Sequence, residues 1–362
     1  MSWVGLADCD DAEFDLTGLA SRRRNHASQM PQCLDSLAYR GTIMVEANVA
    51  QFTVPRPLIN HQHGEGFWLD MAFGTDDTLD FTLTIGDQMW EARLPLVITD
   101  MLHPVRITYS WDVATRAAIL SVCQPRSYNL EQILLYAPRP IPWAALHGLI
   151  QDAPAMCRSN DVTYLAVSRG FEPAGMMPGV EGGTPVATTQ GNVEMAKIRA
   201  GDTIITKDGR HVPVLGRLQR TLPARGSFTP FNLRAPYLGL KRDVILAGEA
   251  LVQLEGADVE YLLGCERVLA QVNQLGEGKS SPLRSDHPTV SYHQLVFDGV
   301  EILNAGVGIC SMNFATQRPN RIAAAATLWA DLHGNWPGHH GTEPHPIARP
   351  YEIVTINASR AA

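Results

Sequence analysis

The chain has no Cys-x-x-Cys pair and no uninterrupted apolar run of the roughly 18 residues that a membrane-spanning helix requires. Its N-terminus lacks a basic segment followed by an apolar one. The first absence argues against paired-cysteine metal and redox motifs. The six cysteines, Cys9, Cys33, Cys123, Cys157, Cys265 and Cys310, are therefore read as buried free thiols. The other absences lead to the expectation of a chain with no membrane span and no Sec signal, cytoplasmic by default, with signal-less export left open. Positive charge is also scarce, since 29 Lys and Arg face 37 Asp and Glu for a formal charge of -8. The basic cluster Arg22-Arg23-Arg24 sits in a polar N-terminal segment and reads as solvated. Nucleic acid is therefore not the expected partner, because phosphate binding needs clustered cations. A dinucleotide fingerprint, a P-loop, a Gly-x-Ser-x-Gly elbow and a zinc-protease helix are missing too.

What the chain does have is 362 residues, enough for two cores, with 30 Gly and 24 Pro spread along it. That composition suits many short strands and turns, so the expected fold class is mainly β with few short helices. Residues 1–35 are polar and irregular and read as an N-terminal extension. Period-two patterns follow at Thr42–Val54, Phe67–Phe73, Leu79–Ile85, Met89–Leu94, Val105–Trp111 and Ala117–Val122, which predict an antiparallel sandwich over residues 36–172. Pro142–Ile150 has helical spacing, and Thr163–Ser168 reads as a returning strand. The strand Arg106–Asp112 followed by Leu120-Ser121-Val122 resembles the laminin-G/concanavalin-like jelly roll. Phe171–Val180 reads as a linker, leaving residues 173–362 for a second β domain with a C-terminal extension. There, Ile322–Leu332 predicts a helix and Arg349–Val354 a terminal strand.

The second domain opens on Gly179-Val180-Glu181-Gly182-Gly183-Thr184, with Gly201-Asp202 one hairpin later. Further on, Ser291–Leu303 contains Tyr292-His293-Gln294-Leu295-Val296-Phe297-Asp298. These segments resemble the bacterial Hint (hedgehog/intein) domain family. In that family a cysteine stands before the Gly-Thr and attacks the preceding carbonyl to form a thioester. A histidine in a Ser-Pro-x-His type run serves the scissile amide. The resemblance retains Gly183, Thr184, Gly201, Asp202, His293 and Asp298, yet it places Gly179 at the cysteine position and Ala250 at the histidine position. Such chemistry needs a nucleophilic oxygen or sulfur and an acid or base, and glycine and alanine supply neither. With no nucleophile, His293 and Asp298 read as structural.

Weaker constellations compete. His61 and His63 would share a face of a strand, as metal ligands can, but a third ligand is not evident. His333, His339, His340 and His345 fall in an irregular Gly/Pro-rich stretch. Asp76, Asp77 and Asp80 flank a hairpin where the jelly-roll resemblance allows calcium, and Trp90 or Trp111 could stack on a sugar, although strand tryptophans are more often core. No metal or cofactor is expected. The resulting expectation is a non-catalytic binding or interaction protein with a degenerate Hint domain and a jelly roll meeting a glycan or protein ligand. The alternative is a self-cleaving Hint protein using non-standard residues.

Overall fold

The computed structural model describes residues 2–19, 34–49, 55–98, 104–124, 130–276, 278–283, 287–312, 326–332 and 343–361. The chain folds as two units divided between Met176 and Met177, the described residues of 287–289 and 326–330 joining the first. The mainly β expectation holds in both units.

The first unit runs β1 (Trp3–Asp8), β2 (Ala12–Phe14), β3 (Leu37–Ala38), β4 (Arg40–Ala47), β5 (Arg56–His63), β6 (Phe67–Gly74), β7 (Thr78–Ile85) and β8 (Gln88–Pro95). It continues with β9 (Val105–Asp112), β10 (Ala117–Cys123), β11 (Leu130–Tyr136), β12 (Ile141–Pro142), α1 (Trp143–Ser159) and β13 (Val162–Ser168). A seven-stranded sheet has the order β11-β10-β9-β4-β13-β1-β2, and β5 to β8 form an antiparallel meander. Period two sends Leu69, Met71, Phe73, Phe81 and Leu83 of the meander into the same core as Ile43, Val45, Ile107, Tyr109, Trp111, Leu120 and Leu165 of the large sheet. Tyr109 and Trp111 stack there at 5.7 Å. Each such side chain contributes roughly 1.5–3 kcal/mol by leaving water. Trp90 and Trp111 belong to this core, their indole N–H groups donating to the carbonyls of Tyr136 and Ala38 at 3.0 Å.

Two expectations change here. The N-terminal residues are not all an irregular extension, because β1 pairs with β13 and buries Trp3, Val4 and Leu6. A run of acidic residues after Asp8 masks that strand in the sequence. Nor is the whole of Phe171–Val180 a free linker. Glu172 is buried, its N–H donating to Thr42 Oγ1 at 2.9 Å while its carboxylate accepts from Ser168 Oγ at 2.7 Å. Arg106, paired with Glu46 at 3.5 Å, donates to the Gly175 carbonyl at 3.3 Å. Thr42, Ser168 and Arg106 on this side of the sheet thus find partners in the segment that follows it.

The second unit contains β14 (Val180–Glu181), β15 (Pro185–Thr188), β16 (Gly191–Glu194), β17 (Thr203–Ile205), β18 (His211–Pro213), β19 (Gly216–Pro223), β20 (Pro230–Leu233) and β21 (Val244–Ala247). After these come β22 (Leu251–Glu255), α2 (Ala257–Leu263), β23 (Arg267–Gln271), β24 (Ser280–Pro282), β25 (Thr289–Val296), β26 (Ile302–Asn304), β27 (Gly308–Cys310) and α3 (Pro350–Ala361). Three sheets result, with orders β19-β25-β14-β21-β20-β24, β16-β15-β17-β18 and β23-β22-β27-β26. Val180, Val186, Ile204, Leu246, Val252 and Leu295 are drawn from all three into one core.

The predicted terminal strand at Arg349–Val354 is instead the start of α3. Pro350 sits in its first turn, and the Glu352 carboxylate reaches back to the Arg349 N–H at 2.7 Å, as in a capping box. Ile353 and Ile356, three apart, are both fully buried in the core. Of the predicted helix Ile322–Leu332, the described end contains a short 3-10 turn at Leu328–Leu332, and the rest lies outside the described residues.

Candidate functional site

β14 is two residues long and lies in the middle of its sheet, where Val180 pairs with Leu246 on one side and with His293 on the other. This seats Gly179 at the end of β21. Its carbonyl accepts the Ala247 N–H at 2.7 Å, and a turn carries the chain to Ala250, whose N–H donates to the Ala247 carbonyl at 2.9 Å. A Cβ built on Gly179 would lie 3.4 Å from the Ala247 Cβ and 3.5 Å from the Ala250 Cβ. Glycine and two alanines therefore share one spot, and none of their side chains can attack a carbonyl or move a proton.

On the far side of β14, His293 is buried and its Nδ1 lies 2.8 Å from the Arg217 guanidinium of β19. A guanidinium only donates, so Nδ1 accepts and the ring proton belongs on Nε2. Burial, and then the Arg217 charge, hold the imidazole below the usual histidine range. Its Nε2 faces the turn, for a Cβ on Gly182 would come within 2.7 Å of it. Arg217 lies 76 positions from His293, and their pairing carries no sequence signal.

The retained motif residues are turn builders. The Thr184 N–H donates to the Glu181 carbonyl at 3.1 Å, and the Gly183 N–H donates to the Glu181 carboxylate at 2.8 Å. Thr184 itself is buried, with its Oγ1 lacking a partner among the described residues. At the second turn the Asp202 N–H donates to the Arg199 carbonyl at 3.1 Å, while its carboxylate accepts the Arg199 N–H at 2.8 Å. Gly201 between them has φ +91°, a left-handed conformation that favours glycine. Asp298 is exposed in the bend after β25. Of the sequence-selected residues, the fold thus gathers Gly179, Ala250, Gly183, Thr184 and His293 around β14 and places Gly201, Asp202 and Asp298 in turns.

The other constellations disperse. Both ring nitrogens of His61 are engaged, Nδ1 with Asp152 at 3.0 Å and Nε2 with the Ala145 carbonyl at 3.2 Å, whereas His63 is exposed. Asp80 pairs with Arg93 at 2.6 Å. Of the C-terminal histidines, His345 is described and the other three lie outside the described residues. Sequence reasoning overlooked Trp68, which alternates outward on β6 between buried Phe67 and Leu69 and is 37% exposed.

Comparison with known proteins gives the following. A family model described as "Hint domain" matches residues 178–311. Among solved structures, the AceL NrdHF class 3 split intein, a splice-inactive variant, is 12% identical, with 37% of this chain and 97% of that chain covered at a TM-score of 0.24. The MchDnaB-1 intein is 13% identical, covering 37% and 99% at a TM-score of 0.25. The Ruminococcus gnavus IT-sialidase CBM40 bound to alpha2,3 sialyllactose is 10% identical, covering 38% and 78% at a TM-score of 0.27. No curated protein matches. On the family match, residues 178–311 of this chain are a Hint domain.

Proposed function

We propose that this Hint domain keeps the fold without the self-cleavage, and that the chain works as a binding protein through its N-terminal sandwich. The observation that carries the first half is the meeting of Gly179, Ala247 and Ala250 at one point beside the Pro178-Gly179 bond. Thioester formation needs a nucleophile within reach of that carbonyl, and the leaving amine needs a proton donor. His293 does not fill the gap, because Arg217 occupies one of its nitrogens and its other nitrogen faces the Gly182 side of β14. The opposite reading, cleavage by non-standard residues, is separated by the intact mass of freshly purified protein with and without hydroxylamine. The proposal expects a single full-length species, and a fragment beginning at Gly179 would refute it.

The binding half rests on the outward face of the β5–β8 meander. Strand register sets Trp68 between Gln62 and Thr84, one row from Asn60 and Asp70. Asn60 donates to the Asp70 carboxylate at 2.7 Å, which orients both polar groups beside the ring. An exposed indole flanked by fixed amide and carboxylate groups suits a sugar, offering an apolar surface for its C–H face and partners for its hydroxyls. A glycan array, run with calcium and with chelator, tests this. Retention of the same glycans by Trp68→Ala would remove Trp68 from the account.

A further inference from the structure

We infer that the second unit binds a small oxyanion, a phosphate or carboxylate group on a small molecule, in the cleft between Lys207, Lys279 and Arg360. The cleft has a volume of about 500 Å³ and is lined by residues that have no part in the Gly179 and Ala250 site. Its size falls in the range of small-ligand pockets, roughly 300–1,000 Å³. The cations reach it from separate stretches of chain. Lys207 follows β17, Lys279 precedes β24, and Arg360 lies near the end of α3.

The carboxylate that lines the cleft, Glu255, is already divided among other groups. It lies 3.9 Å from Lys207 and 3.6 Å from Arg267, and it accepts from Gln253 at 2.8 Å. Arg360 is held from behind by Asp258, at 2.6 Å, so the guanidinium is fixed in place. Lys279 differs, since among the described residues no carboxylate comes within 4.0 Å of its ammonium, which sits 5.5 Å from the centre of the Tyr237 ring. Burial, followed by the Arg360 charge, holds this lysine below its ordinary range. Three cations gathered in one cleft, with Lys279 lacking a carboxylate partner among the described residues, make an anion the complementary guest, because hydrogen bonds to a charged partner are the stronger kind.

The rim is shaped for approach as well. Leu238 has φ 56° and ψ 24°, a left-handed conformation that a leucine adopts only at a cost, and it lines the same cleft. Such strain gathers at ligand clamps. Tyr237 adds an aromatic wall beside the cations, against which the flat or apolar body of the ligand would rest.

The test titrates the full chain with inorganic phosphate and, separately, with acetate, by calorimetry at constant ionic strength, with chloride as the reference. Saturable binding of either anion is expected, at least tenfold weaker in Lys279→Gln and in Lys207→Gln. It should be unchanged in Lys197→Gln, an exposed lysine paired with Glu194. Thermal melts confirm that each variant is folded. The stronger of the two anions identifies the ligand class. Heats no greater than those of chloride, or binding unaffected by both cleft variants, would overturn the inference.

Discussion

The Cβ that Gly179 lacks would stand 3.5 Å from the Cβ of Ala250, although 71 positions separate the two residues. That is ordinary van der Waals spacing, so the fold brings together the two positions where the Hint resemblance places cysteine and histidine while leaving both without functional groups. Three residues further on, Gly182 offers a contrast, because a Cβ there would collide with His293 Nε2 at 2.7 Å.

The contrast predicts opposite outcomes for two small substitutions. Gly179→Ala should be neutral or stabilising by up to about 1 kcal/mol, since its φ is not left-handed and the unfolded chain loses freedom. Gly182→Ala should cost about 1–3 kcal/mol through overpacking against a buried ring. Urea melts of the two variants check this, and equal effects would contradict the packing described around β14.

His293 should make stability depend on pH. Its folded-state pKa lies below the ordinary value, so the unfolded chain binds this proton more readily. Stability is therefore full above the unfolded value, roughly 6.5. It falls as pH drops below that value, until the folded form is protonated as well. Denaturation midpoints between pH 7.5 and pH 5 should decline less steeply in His293→Gln than in the parent protein. An unchanged slope would contradict the burial of a neutral imidazole against Arg217.

α3 should be integral to the second core. Ile353→Ala removes a fully buried side chain and is expected to cost about 2–5 kcal/mol, whereas Val354→Ala, at an exposed neighbouring position, should stay within about 0.5 kcal/mol. Thermal or urea melts distinguish these results. A strand in this segment would instead bring Val354 and Glu352 to one face.

Trp68→Ala should leave the melting midpoint nearly unchanged, because the ring is exposed and outside the core, while abolishing glycan retention. A large loss of stability would mean that the indole serves packing instead. The polar residues beside it, Asn60 and Asp70, should show smaller and similar losses of binding when changed singly, since they hold each other in place.

Much of the fold was legible because one physical signal, alternation at period two, is strong where one face of a strand is buried. It marked Phe67–Phe73 and Leu79–Ile85, which became β6 and β7. It failed at Trp3–Asp8, whose five leading residues are all buried and show no alternation. At Arg349–Val354 the β-like residues outweighed a helix signature that was present, Pro350 and Glu352 in the first turn. The site was legible in part. The Gly-Asp turn could be read because its backbone geometry favours glycine, as the left-handed Gly201 shows, whereas Gly183-Thr184 was legible through the family resemblance. Ala247, Arg217 and the cleft at Lys279 depend on contacts between distant segments, and no local pattern announces them.

The central claim is that the Gly179 site holds no working nucleophile. It is tested most directly by intact-mass measurement of freshly purified protein, untreated, with a strong thiol and with hydroxylamine, alongside Gly179→Cys. The account predicts one full-length mass for the parent chain in all three conditions. A hydroxylamine-dependent fragment ending at Pro178 in the parent chain would contradict it.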